Sequence, residues 1–357
     1  MLALNTTAIA WVILVVILLG WITYYFLNSA SARSELGSER ELAPNSKEYY
    51  DDDTLEGRRL ERMQVLGVLL LATLVIGLPV YWILEPGRQA GAQEGKANRF
   101  VSWGEQLFQT TANGGFNCAG CHGGLKGAGG QAPYAVTDPK TGEVKAVNWY
   151  APALNTVFYR FSKEEVRFIL NYGRPFSPMS AWGAPGGGPM TEQNIETLLA
   201  YLESIQIQPE GCTTERFPKN ADPYICEGGT LPKDTKAEIQ KSIDAYLKAN
   251  PGASEGEAIF NLDLASGAYS CARCHTQGWS YGDPGVTAQG GMGWNLTGGA
   301  TNSHFPNEAD MISFIKAGSV FGKKYGQQGQ GSGRMPGFGH LLTDEQIKAV
   351  VEYVRGL

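Results

Sequence analysis

Two pentapeptides of one pattern, Cys118-Ala-Gly-Cys121-His122 and Cys271-Ala-Arg-Cys274-His275, constrain this chain more than any other feature. Two thiols separated by two residues reach the two vinyl groups of one porphyrin, and the histidine that follows swings beneath the ring to bind iron. Cys-x-x-Cys alone also suits a zinc knuckle or a redox dithiol. With His next in line, twice, the pattern reads as c-type haem attachment, and the cofactor expectation is two covalently bound haem c groups.

At 357 residues the chain has room for two or three units, and 46 glycines suit loop-rich domains wrapped around a cofactor. The formal net charge of −6 argues against a nucleic-acid partner, because phosphate binding wants a basic face. Six cysteines divide into four motif thiols and one further pair, Cys212 and Cys226. An even leftover pair closing a short loop reads as a disulfide in an oxidising compartment, with two unlinked thiols as the alternative.

Two apolar runs precede the motifs. Ala8 to Leu27 carries no charge and has aromatics at its ends; Val65 to Leu84 contains Leu69-Leu70-Leu71 and ends near Tyr81-Trp82, with Pro79 as a kink. Each is long enough to cross a bilayer. The segment between them holds Arg33, Arg40, Lys47, Arg58, Arg59 and Arg62, whereas Met1 to Thr7 has no Lys or Arg. The positive-inside rule makes that loop cytoplasmic and puts both termini, with everything after Glu85, on the extracytoplasmic side of a bacterial cell membrane. The rival for the first run is a cleaved export signal before Ala30-Ser31-Ala32, although the run is longer than a usual signal core and lacks a basic start. Asp51-Asp52-Asp53 beside Arg58-Arg59 reads as a solvated or partner-facing loop, with a metal site as the alternative.

The region after the second run is one unit used twice. Gly104-Glu105-Gln106-Leu107-Phe108 precedes the first motif as Gly256-Glu257-Ala258-Ile259-Phe260 precedes the second. After each motif comes a Thr and an amphipathic helix: Thr191, Ile195, Leu198, Leu199, Tyr201 and Leu202, against Thr343, Ile347, Val350, Val351, Tyr353 and Val354. Thr343 with Gln346 forms a capping box. The repeat resembles the class I cytochrome c fold over residues 98–206 and 251–357. The fold expectation is all-α: transmembrane helices at 1–28 and 64–85 around a loop at 29–63, a linker at 86–97, and two tandem cytochrome c domains joined by residues 207–250.

That resemblance implies further roles. The helix before each motif crosses the last helix at a glycine-to-aromatic contact, Gly104 with Tyr201 and Gly256 with Tyr353. The segment Gly173 to Gly183 is similar to the family's methionine loop, so Met179 is the expected sixth ligand beside His122, with Met190 as fallback. Gly333-Arg334-Met335-Pro336-Gly337 matches it in the second domain, giving Met335 beside His275 over Met292, Met311, His304 and His340. Pro152 matches the proline loop whose carbonyl supports the iron-bound histidine. Trp294-Asn295-Leu296-Thr297 stands near the equivalent place without a proline, and the role is not transferred.

With both axial positions filled, the expectation is electron transfer and not catalysis by this chain. The two haem domains resemble the dihaem cytochrome c subunit of cytochrome bcc complexes, menaquinol:cytochrome c reductases, which place their membrane anchor after the haems. This resemblance implies cytochrome b and Rieske iron-sulfur subunits as partners, and a terminal oxidase, soluble cytochrome or copper protein as acceptor. The architecture is also similar to the dihaem subunit of cbb-type oxidases. A dihaem peroxidase or a dehydrogenase's cytochrome subunit is the third alternative.

Overall fold

A computed structural model describes residues 12, 15–16, 19–27, 57–138, 141–174, 177–212, 225–226, 228–262, 270–320 and 335–357. The chain divides into two units, Met1–Arg88 and Gln89–Leu357. Of the first apolar run, every described residue is helical, and the rest of that run lies outside the described residues, as do Asp51-Asp52-Asp53.

Helix α1 spans Arg58–Phe108. Leu69, Leu70, Leu71, Val75, Ile76, Leu78, Trp82 and Ile83 are all exposed on it, so this stretch presents apolar side chains all round. Among the described residues it is the one helix long and apolar enough to cross a membrane. Pro79 and Pro86 lie inside it. The Thr73 hydroxyl donates to the Leu69 carbonyl at 2.8 Å, satisfying its polar group within the helix.

Residues 86–97, expected as a linker, are helical. Gln89, Ala90, Ala92, Gln93, Glu94, Lys96 and Ala97 favour helix and outweigh Gly87, Gly91 and Gly95. Arg88 pairs with Glu85 one turn earlier at 2.5 Å, and Lys96 lies over the Phe100 ring at 5.7 Å. Gly104 and Phe108 lie in the last turns of this helix, within the second unit.

In the first domain α1 is followed by α2 (Cys118–His122), strands β1 (Gly130–Thr137) and β2 (Val144–Ala151), α3 (Lys163–Tyr172) and α4 (Glu192–Ser204). A Cβ on Gly104 would collide with the Thr197 carbonyl and Tyr201 Cβ, so α1 and α4 touch backbone to backbone there. Phe108 then packs on Tyr201, ring centroids 5.2 Å apart. Ser162 caps α3 through Glu165, and Thr191 caps α4 through Asn194. Gly104→Ala is expected to destabilise the haem-loaded protein by about 1–3 kcal/mol, as forced overpacking does. Thermal unfolding followed by loss of near-ultraviolet dichroism checks it, and an unchanged midpoint would contradict the crossing.

The antiparallel hairpin β1–β2, with Gly130 opposite Ala151, corrects the all-α expectation; the structure is otherwise mostly helical. Its strands carry Tyr134, Val136, Val144, Val147 and Trp149, β-formers flanking Asp138 and Gly142.

Helix α5 (Lys233–Ala249) fills the inter-domain segment. The second domain contains α6 (Glu255–Phe260), α7 (Ala272–His275), α8 (Ala300–His304), α9 (Glu308–Ala317) and α10 (Asp344–Arg355). It repeats the first domain's crossing: a Cβ on Gly256 would meet the Ala349 carbonyl and Tyr353 Cβ, and Phe260 packs on Tyr353 at 5.6 Å. Thr343 and Gln346 form a capping box at the start of α10. Ile347, Val350, Val351 and Val354 are buried on one face of that helix.

Cys212 and Cys226 are joined in a disulfide, Cα atoms 5.8 Å apart. The bridge closes a loop with a sequence separation of 14, worth about 3 kcal/mol by chain-entropy arguments. C212S is expected to lower stability by about that amount under non-reducing conditions. Equal denaturation midpoints for wild type and variant would contradict it.

Candidate haem sites

Each motif forms a short helix whose end presents the histidine. In α2, Asn117 and Gly123 flank the pentapeptide in the left-handed region, at φ 67° and 81°. These turns end α2 at both sides and let the Gly129 amide return to donate to the His122 carbonyl at 2.9 Å. His122 is buried, and its Nδ1 lies 2.9 Å from the Pro152 carbonyl. Nδ1–H donates there, which leaves Nε2 without a proton and able to ligate a metal.

The second motif uses the same device with a different residue. His275 Nδ1 lies 2.8 Å from the Trp294 carbonyl. The support is a backbone carbonyl, so no proline is required; what is required is room. Gly293 provides it, since a Cβ there would stand 2.8 Å from the His275 ring. Its position just before Trp294 is the signal sequence reasoning passed over.

Burial pushes both imidazoles below their usual pKa, against the pull of the Pro152 and Trp294 carbonyls, and the charges of Arg273 and Arg160 push His122 further the same way. Burial thus favours the neutral form of each ring, the form in which an imidazole can bind a metal. Burial pushes the Cys118 thiol up to about 11 and the Cys271 thiol up to about 12, and raises Cys121 as well. Such thiols are poor redox nucleophiles. None of the four motif cysteines is in a disulfide, and among the described residues no group of three or more His, Cys, Asp or Glu is disposed to hold a metal ion. The donor set fits thioether attachment of a haem under a histidine, and fits zinc or dithiol chemistry poorly.

Met179 is half-buried in a turn where the Arg174 amide donates to its carbonyl at 2.8 Å and its own amide donates to the Ser177 hydroxyl at 3.3 Å. Met190 is 1% exposed and hydrogen-bonded along its backbone to Trp182 and Ala184, a core residue at the entry to α4. Met335 is half-buried and doubly tied to Ser319, whose amide donates to its carbonyl and whose hydroxyl accepts from its amide, both at 3.0 Å.

Among the rivals, Met311 is core, His304 is exposed at the end of α8, and Met292 is half-buried beside Gly293. His340 has its Nδ1 2.6 Å from the Gly229 carbonyl, where it ties the methionine loop to the inter-domain segment. Arg334 and residues 331–333 lie outside the described residues, as do Pro175 and Phe176.

Residues 101–206 match the family model for cytochrome c, and residues 251–354 match the model for subunit III of cbb3-type cytochrome c oxidase. The chain carries two cytochrome c domains. They make it an electron-transfer protein and point to covalently bound haem c, one group per domain. No curated protein and no solved structure matches the chain. In each cytochrome domain two thiols would hold the cofactor, a carbonyl-braced histidine would bind its iron, and the bound haem would supply a one-electron ferric/ferrous couple.

Proposed function

We propose that this chain is a membrane-anchored dihaem cytochrome c that relays electrons within a respiratory complex, from the Rieske and cytochrome b part of a quinol:cytochrome c reductase to a terminal oxidase. The observation that carries the relay reading is the pair of repeated histidine sites built into one unit, each with a carbonyl-braced imidazole. Met179 and Met335 are the sixth ligands in this reading, and they leave no open coordination position for peroxidase chemistry.

The anchor is α1 together with the first apolar run, crossing twice with the basic loop in the cytoplasm and both cytochrome domains outside. The exposed apolar surface of α1 and the Cys212–Cys226 disulfide both support that placement. Tethering raises the effective concentration of the cytochrome domains at a docking site on a neighbouring complex.

The match of the second domain to subunit III of cbb3-type oxidase favours a second reading, in which the chain is the dihaem subunit of the oxidase itself. Purification of the tagged full-length chain from membranes in mild detergent separates the two. Co-purification of haem b and a Rieske protein is the expected result, whereas a copper-containing oxidase core alone would establish the second reading.

A further inference from the structure

The two cytochrome domains meet through a residue of the second haem motif. Arg273, the second variable position of Cys271-Ala272-Arg273-Cys274-His275, is 4% exposed. Its Nη1 donates to the Tyr150 carbonyl of β2 at 2.6 Å, and its guanidinium lies 5.8 Å from the centre of the Trp279 ring. Tyr150 stands two residues before Pro152, whose carbonyl holds His122. One short path therefore joins the two iron-binding histidines. It runs from His275 along the backbone to Arg273, across a hydrogen bond to Tyr150, along β2 to Pro152, and across a second hydrogen bond to His122.

Other contacts fix the same junction. The Gly337 amide, two residues after Met335, donates to the Arg160 carbonyl at 3.3 Å, and Arg160 Nη2 donates to the Ala153 carbonyl at 2.7 Å. Trp149 packs on Tyr281 at 5.3 Å, and Lys145 pairs with Asp283 at the exposed rim. The arrangement is one-sided. The first motif has Gly120 where the second has Arg273, so only the second motif reaches across. A buried guanidinium is costly unless its donors are used, and here it is positioned on the strand that braces the other domain's histidine.

We infer that Arg273 is a positioning residue for the first domain's haem: it clamps β2 beside His122 and places a fixed positive charge there that raises that haem's reduction potential. The sign follows from Coulomb's law, since a nearby positive charge favours the reduced, less positive iron. The inference rests on the dihaem relay reading, in which the relative potentials of the two haems set the direction of electron flow.

The test is a redox titration of the full-length, haem-loaded protein in detergent. The two haems are distinguished by their ferric electron paramagnetic resonance signals, assigned against a M335H background. R273M is expected to shift the one-electron equilibrium between the haems about tenfold away from the first domain, 59 mV, with the change on the first haem. R273K, which keeps the charge, is expected to stay within about twofold of wild type. R273Q replaces R273M if the latter does not mature. A shift confined to the second haem, no shift, or an equal shift in R273K would overturn the assignment, as would failure of both neutral variants to retain two haems. Wild-type protein lacking two haems would instead overturn the relay reading.

Discussion

Replacing both Cys118 and Cys121 with Ala is expected to halve the covalent haem content and unfold the first cytochrome domain while leaving the second loaded. Pyridine haemochrome quantification against protein mass should fall from two haems per chain to one. The reason lies in where the apolar core sits: its buried residues come mainly from α1, residues 157–161, α3 and α4, while the motif helix α2 adds only Ala119. The motif side is built from α2 and a glycine-rich loop running through Gly123, Gly124, Gly127 and Gly129, each at positive φ. A ligand that binds only the folded state stabilises it by an amount that grows with ligand concentration, and covalent attachment removes that dependence on concentration. Retention of two covalent haems in the double variant would contradict assignment of the motif.

Met335→His is expected to give the second-largest effect, a fall of roughly 100 mV or more in the second haem's potential, because imidazole favours ferric iron where a thioether favours ferrous. The methionine-to-iron charge-transfer band of that haem should disappear at the same time. Met335 is held from both sides by Ser319, so the substitution changes the ligating atom with little freedom for the loop to retreat. An unchanged spectrum and potential would transfer the ligand role to another residue of the second domain, with Met292 next in line.

Much of the candidate site was legible because covalent haem attachment leaves a contiguous signature. Cys118, Cys121 and His122 are neighbours in sequence and remain neighbours on α2, and Cys274 and His275 do the same on α7 with Cys271 at its N-cap. The helix crossings were legible for a related reason. Two backbones can approach so closely only where one lacks a Cβ, so Gly104 and Gly256 mark the contact in the sequence itself.

Other features were harder to read. The hairpin β1–β2 carries β-branched and aromatic residues around a turn, but helical expectations for the rest of the domain overrode that local signal. Residues 86–97 were expected as a linker, whereas they are part of α1, with Glu85 and Arg88 paired one turn apart. Trp294 was set aside for want of a proline, although any residue supplies a carbonyl.

The sequence by itself determined the chemistry: two haem motifs, two repeated helix crossings, a leftover cysteine pair and an apolar run of membrane length, each encoded by residues close together along the chain. Tertiary structure alone decided the relation between the two cytochrome domains. Arg273 and Tyr150 are separated by more than a hundred residues, and a hydrogen bond from a guanidinium to a main-chain carbonyl leaves no mark on the acceptor's side chain. Contacts of that kind carry no sequence pattern, because every residue offers the same carbonyl and only folding chooses which one is used.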